Sequence, residues 1–513
     1  MAAAFPPSTS PPLLARHSHS AAAGLLPSRL ERSRPARRGQ YAGARHGGCP
    51  ARRRPPAATA GATSGLTRRA AVMAAAAAHG RAQAGEGAEE GSLQMVLLST
   101  AVAVCGSLEF GTCVGYSAPA QAGIVSDIGL SNSQYGIFGS VLTVGAMIGA
   151  LTSGRLADTL GRKMTMRLAA IVGIFGWLAI YLAKDATTLY LGRVLLGYCT
   201  GVLSYVVPVF ISEIAPKDLR GGLAASNQLF ICSGCSAAYI IGATVSWRSL
   251  VIVGLVPCAF LLVGLPFIPE SPRWLANIRR EKEFRTSLQK LRGEKADISG
   301  EATAITEYIE SVQDLPKARI QDLFHSKNMY AVIVGVGLMV FQQLGGINAL
   351  GFYTSYIFSS AGFSGKLGTT LIGIIQIPIT LFGALLMDRS GRRTLLLAQG
   401  LYTQLGPTLA LYGILAYYGA YSIGMGPVPW VIMSEIFSID MKGIAGSLVT
   451  LVSWIGSFAI SYSFSFLMDW NSAGTFFLFS AASLVTVLFV ARLVPETKGR
   501  TLEEIQESLM AST

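Results

Sequence analysis

Past residue 92, this 513-residue chain is a succession of apolar stretches: 96–116, 134–154, 165–183, 189–210, 222–243 and 250–268, then 329–353, 367–387, 409–432, 444–468 and 473–494. Each has roughly the 20 residues a helix needs to cross hydrocarbon, whereas barrel strands of about 9–11 residues would be far shorter. Backbone groups in lipid must find partners within their own segment, so unbroken runs of this length are expected to be transmembrane helices. The composition leaves no room for a soluble alternative. Charged residues make up 13% and apolar ones 51%, with a mean hydropathy of +0.47, whereas a soluble domain carries about 25% charge.

Six crossings precede and five follow a stretch, 269–328, with 11 basic and 10 acidic side chains. At roughly 2.5–3.5 kcal/mol for each centred charge, it cannot enter lipid. Glu281, Glu283, Lys290, Arg292, Glu307 and Glu310 recur in it at helical spacing, which predicts short amphipathic helices on the membrane surface. The connections at 155–167, 213–220, 269–328 and 388–393 together hold 20 Lys and Arg, while the alternating ones hold only Lys184, Arg248 and Lys366. The positive-inside rule therefore puts the amino terminus and the central loop in the cytosol.

A net charge of +13 would suggest a nucleic-acid binder if it were spread over a folded surface. Instead +9 of it lies in residues 1–90, with 13 Arg, no Lys and four acids. This Ala/Pro/Arg/Ser-rich tail, residues 1–92, lacks apolar periodicity and interleaved aromatics, so it is read as disordered and no nucleic acid is expected as a partner. Its composition is that of an organelle transit peptide; the alternative is that translation begins at Met73. Cys232 and Cys235 form a C-x-x-C with no third ligand nearby in sequence, and four of the five His lie in the tail. No metal, cofactor or hydrolytic triad is expected, and so no enzyme.

The two halves repeat each other. GRLADTLGRK (154–163) and MDRSGRR (387–393) each follow the second crossing of their half. Ser212-Glu213-Ile214 is followed by Arg220-Gly221, and Ser434-Glu435-Ile436 by Lys442-Gly443 at the same distance. Pro269-Glu270 closes the first half and Pro495-Glu496 the second. Parallel repeats of about six helices are the plan of two-bundle secondary transporters. The repeat also exposes a gap: 25 residues separate Lys163 from the fourth crossing, but only 17 separate Arg393 from Leu411. The ninth crossing of a twelve-helix plan is therefore expected to be missing, leaving about 11, with a short squeezed helix as the alternative.

GRLADTLGRK, GRVLLG (192–197), PESPRWL (269–275), QQLGGIN (342–348), DRSGRR (388–393), GPVPW (426–430) and PETKGRT (495–501) occur in the order found in the sugar porter branch of the major facilitator superfamily, which the chain resembles from about residue 93 to 507. Through NQLFICSG (227–234) and SIGMGPVPWVIMSEIF (422–437) it is most similar to plant monosaccharide transporters of the early-response-to-dehydration type. The resemblance implies a two-bundle fold of 6+6 helices, here lacking the ninth. It divides the chain into an N-terminal bundle (93–268), a cytosolic charged loop (269–328), a C-terminal bundle (329–497) and a cytosolic tail (498–513).

A hexose offers a ring of hydroxyls and fairly apolar faces, so its site calls for neutral amides and an aromatic platform. Gln228 in the fifth crossing, Gln342, Gln343 and Asn348 in the seventh and Gln376 in the eighth supply amides inside uncharged helices. Amides of this kind also join helices to one another. The resemblance makes them substrate contacts, with Trp430 as the stacking ring and Tyr353 as an outer gate. Asp158, Arg162, Arg193, Glu213, Arg220 and Glu270, repeated by Asp388, Arg392, Glu435, Lys442 and Glu496, form the family's cytosolic charge network. Arg193, an ionised group within an apolar run, is expected to pair with Glu213 or Asp158. Proton-driven members carry an acid in the first crossing, at the position of Cys113 or Ser117 here. Glu109, one turn before Cys113, either substitutes for it or leaves the protein a facilitator. Prolines 208, 257, 378, 427 and 429 loosen helices that must rock.

The expectation is thus a transporter that moves a monosaccharide by alternating access, facilitated or proton-coupled, with sugar, protons and the lipid bilayer as partners. The rivals are a polyol or inositol transporter, a non-transporting sensor, and an inactive truncated isoform. The tail points to the plastid envelope and the subgroup to the vacuolar membrane.

Overall fold

The computed structural model describes residues 89–216, 219–313, 320–360, 362–390, 410–437 and 441–497. The expectations for residues 1–88, for the ninth crossing and for the tail from 498 fall outside these. All described elements are helical.

Helix α1 (Glu89–Gly115) is followed by α2 (Ser117–Ile128) after a break at Tyr116, and Gly129, at φ +74°, ends α2. A capping box between Ser131 and Gln134 starts α3 (Asn132–Leu160). Helices α4 (Arg162–Leu182), α5 (Ala186–Ile214), α6 (Arg220–Gly242) and α7 (Trp247–Gly264) complete the first half. Asp185 begins α5, its carboxylate accepting from the Thr188 amide. The charged stretch carries three short helices, α8 (Pro272–Asn277), α9 (Glu281–Arg292) and α10 (Ser299–Gln313).

The second half has α11 (Ser326–Leu344), α12 (Ile347–Ser360), α13 (Gly365–Ser390), α14 (Ala410–Ile423), α15 (Val428–Ile436) and α16 (Lys442–Leu493). Non-helical backbone at Asn471 folds α16 into two crossings. Eight stretches among the described residues are long and apolar enough to cross a membrane, the last of them containing both arms of α16. Helix α6 and the α14–α15 pair occupy the remaining apolar segments of the sequence.

Two crossings expected as single helices are broken. The seventh parts at Gly345-Gly346, where Gly346 takes φ +85°, so Asn348 lies on α12 and not on the helix that carries Gln342 and Gln343. The tenth parts between Ile423 and Val428, at a Gly-Met-Gly-Pro run that no helix continues through easily.

Helices α3 and α5 approach until their backbones nearly touch. A Cβ on Gly145 or Gly149 would strike the Val194 or Tyr198 carbonyl, and one on Gly197 or Gly201 the Leu142 or Ala146 carbonyl. Small residues four apart on both helices permit this contact, which is how helices associate in lipid. Across the halves, α3 runs along α16 and α6 along α13.

The apolar core divides along the membrane normal. One cluster draws on both halves near the ends remote from the charged 269–328 stretch, joining Tyr116, Tyr135, Phe138 and Trp247 to Ile347, Phe352, Tyr353 and Phe464. Toward the charged stretch it gives way, among the described residues, to two, one built from the first half (Val96, Phe210, Leu265) and one from the second (Val334, Ile436, Val494).

Candidate functional site

The break in the seventh crossing organises a chain of amides. Gln342, 3% exposed, donates Nε2 to the Met425 carbonyl at 2.5 Å, a group freed by the break between α14 and α15. Gln343, also buried, donates to Gln342 Oε1 at 3.1 Å and to Ser453 Oγ on α16 at 3.0 Å, and accepts from Asn348 Nδ2 at 2.5 Å. Gln342, Gln343 and Asn348 thus form one relay across a helix break, and Ser453 joins it. Sequence reasoning missed Ser453, for a single Ser in an apolar helix carries no signal of its own.

Gln228 and Gln376 meet at a second place. Gln228 Nε2 lies 3.5 Å from Cys232 Sγ, and Gln376 and Thr380 of α13 lie beside that thiol, with Thr380 Oγ1 buried and without a partner among the described residues. Gln376 Oε1 is buried without a partner among the described residues. No hydrogen bond links this pair of amides to the Gln343 relay. Trp430, on α15, is 36% exposed.

Tyr353 lies where the halves meet. Its hydroxyl is 3.4 Å from the carbonyls of Gly136 on α3 and Ser461 on α16, and its ring packs on Phe464 with centroids 5.1 Å apart.

The helix-end charges of the first half converge on the start of α4. Arg162 forms a two-pronged pair with Glu213, at 2.8 and 2.9 Å, and reaches Asp158 at 3.3 Å. Glu270 accepts from the backbone amides of Lys163, at 3.1 Å, and Ser271, at 2.9 Å, and so caps α4. Burial pushes the Glu270 carboxyl above its ordinary value, against the pull of these two amides. Gly161, at φ +90°, makes room: a Cβ there would stand 2.8 Å from the carboxylate. The side chains of Arg220, Asp388, Glu435 and Lys442, and all of Arg392, lie outside the described residues; Glu496 is half-buried.

Arg193 corrects its expectation, for it pairs with neither Glu213 nor Asp158. It is fully buried, donating to the carbonyls of Cys113 (2.9 Å) and Phe138 (3.3 Å) and to the Ser117 hydroxyl, with its guanidinium over the Phe138 ring at 4.6 Å. Twenty residues of helix separate it from Glu213, about 30 Å, which puts it near the opposite membrane face. Two acceptors, the Cys113 carbonyl and the Ser117 hydroxyl, flank the break between α1 and α2 and the third, the Phe138 carbonyl, comes from α3, so neutral oxygens replace a carboxylate.

Glu109, fully buried in α1, accepts from Trp177 Nε1 at 2.6 Å and from Cys113 Sγ at 3.2 Å, while its Oε2 has no partner among the described residues. Among the described residues no group of His, Cys, Asp and Glu is arranged to hold a metal ion.

A family model described as "Sugar (and other) transporter" matches residues 96–509. The chain is 55% identical over 443 residues to Sugar transporter ERD6-like 16 of Arabidopsis thaliana, covering 82% of this chain and 92% of that one. It is 51% identical over 432 residues to Sugar transporter ERD6-like 7 of the same plant, covering 80% and 93%. Among solved structures it is similar to the major facilitator superfamily proton:xylose symporter XylE bound to 6-bromo-6-deoxy-D-glucose, with a TM-score of 0.68, 25% identity and coverage of 82% and 100%. It is equally similar to the inward-open xylose transporter XylE from E. coli, with a TM-score of 0.68, 25% identity and coverage of 80% and 99%. The fold is the two-bundle major facilitator fold. With the match running over most of its length, the chain belongs to the sugar transporter family and is a multi-pass membrane transporter, not an enzyme.

Proposed function

We propose that the chain carries a monosaccharide, a hexose such as glucose, across the membrane by alternating access. The observation that carries this reading is the division of the apolar core: among the described residues, one cluster joins the halves on the non-cytosolic side, and separate clusters lie on the cytosolic side. A sugar released toward the cytosol needs that opening, and rocking the halves the other way would reverse it. The relay of Gln342, Gln343, Asn348 and Ser453 offers donors and acceptors without charge, which suits a neutral polyhydroxy ligand. Trp430 supplies a ring for the sugar face. The Arg162–Glu213–Asp158 cluster and Glu270 serve as the cytosolic latch that closes when the outer side opens. Uptake of labelled glucose into vesicles bearing the purified chain tests the reading, with inositol and a linear polyol as competitors. Gln343→Ala is expected to abolish most uptake, and normal uptake by that variant would remove the assigned site.

Facilitated passage is favoured by Arg193, whose acceptors include no carboxylate that could trade a proton with it. Proton coupling is the second reading, favoured by the symporter likeness and by the unpartnered oxygen of Glu109. Sugar-driven alkalinisation outside the vesicles, lost in Glu109→Gln, decides for coupling; its absence decides for facilitation. The vacuolar membrane and the plastid envelope are the two proposed locations, separable by imaging the tagged full-length chain.

A further inference from the structure

Above the closed Tyr353 contact lies a small cavity at the non-cytosolic mouth, lined by Gln121, Tyr353, Tyr356, Phe464, Ser465 and Asp469. It draws on three elements from both halves: α2 of the first, α12 and α16 of the second. Its volume is about 10 Å³, room for one water. Its polar groups are unusually free. Gln121 Oε1 is buried without a partner, and neither the Tyr356 hydroxyl nor the exposed Asp469 carboxylate makes a hydrogen bond or ion pair among the described residues. The Tyr353 hydroxyl is engaged by the carbonyls of Gly136 and Ser461 and lies beside the Ser465 hydroxyl.

We propose that Gln121, Tyr356 and Asp469 form an outer receiving site for the transported sugar, occupied before Tyr353 withdraws and emptied as it closes. The inference rests on the transport reading. A carboxylate can accept from two neighbouring hydroxyls at once, and an amide oxygen from a third, while the rings of Tyr356 and Phe464 present faces to the C–H side of a pyranose. In the closed state the cavity is too small for a sugar, and closure strands the Gln121 oxygen. A sugar hydroxyl in the open state would satisfy it, so occupancy favours the outward-facing arrangement. Neither Gln121 nor Asp469 lies in a motif of the sequence, and the three segments meet only in the folded chain.

The test uses the full chain in oriented vesicles, with labelled glucose presented from one face at a time. Gln121→Leu and Asp469→Asn are expected to raise the KM on the non-cytosolic face roughly three- to tenfold relative to that on the cytosolic face, the effect of losing one hydrogen bond. A shift of both KM values together would mark a structural role and overturn the proposal, as would no shift at all. Inhibition from the outer face by tetramethylammonium, relieved in Asp469→Asn, would overturn it in favour of a cation site. If the unaltered chain moves no hexose, the transport reading falls and the receiving site falls with it. If it does and the variants behave normally, the receiving site alone is lost.

Discussion

Arg162 and Glu213 face each other with side chains only 9% and 13% exposed, close enough to burial that removing one strands the other. Breaking a buried pair costs roughly 3–5 kcal/mol, and Arg162→Ala is expected at the low end, since Asp158 is largely exposed. Arg162→Lys keeps the charge but loses the fork and should recover less than half. Thermal unfolding in detergent measures both, and an unaltered melting temperature for Arg162→Ala would sink the argument. Glu270 gives a pH dependence of definite sign. Its folded-state pKa lies above the ordinary 4.5 because burial disfavours the charged form. Its stabilising contribution is therefore whole below 4.5 and is lost as pH rises through the folded-state value. The melting temperature should fall as pH rises from 4.5 through that value, and Glu270→Gln should flatten the fall. These partners were legible in sequence because the motifs put Asp158, Arg162, Glu213 and Glu270 at helix ends on one side of the membrane. Arg193 was misread for a physical reason. A buried guanidinium needs acceptors, not a carboxylate as such, and these came from the α1–α2 break, which the apolar pattern does not announce, and from a carbonyl of α3.

Hydropathy finds helices well and breaks poorly. A run of about 25 apolar residues reads as one crossing because its lipid-facing side is continuous, whatever the backbone does inside the bundle. The Gly345-Gly346 pair was in view, yet glycines are frequent in membrane helices and most of them mark close packing. What distinguishes Gly346 is its left-handed backbone with the Phe479 ring against it, 2.7 Å from where a Cβ would stand. Gly346→Ala is expected to cost about 1–2 kcal/mol for the backbone alone, and more for the ring. Gly345→Ala, at ordinary helical φ with only the Tyr417 hydroxyl nearby, should be milder. Because the break sets the angle between Gln343 and Asn348, Gly346→Ala should also depress uptake beyond its loss of folded protein. Uptake per folded molecule, compared between the two variants, checks this; equal uptake would show that the break does not position the amides.

At the scale of the whole molecule, the repeat made the two-bundle plan readable, and the charge bias gives the orientation the proposal adopts. Where the halves touch was not readable, because that contact joins residues far apart in the chain, such as Gly136 and Tyr353. On the alternating-access reading proposed above, it is also where the working cycle acts. The mixed cluster around Tyr353 resists opening on the non-cytosolic side, while no apolar cluster of the described residues bridges the halves near the cytosol. Tyr353→Phe keeps the ring on Phe464 and removes a hydroxyl held at 3.4 Å by two carbonyls. Such long bonds belong at the weak end of the range, so the equilibrium should move outward by about 0.5 kcal/mol, roughly twofold. Tyr353→Ala also removes a buried ring from the shared core, and should move it much further. In a chain freed of its native cysteines, Ser461→Cys lies buried beneath Tyr353. An impermeant maleimide added from the non-cytosolic face should label it slowly with Tyr353 intact, about twice as fast with Phe, and fastest with Ala. Labelling at one rate in all three would mean that Tyr353 does not hold the outer side shut, and that the shared core does so without it.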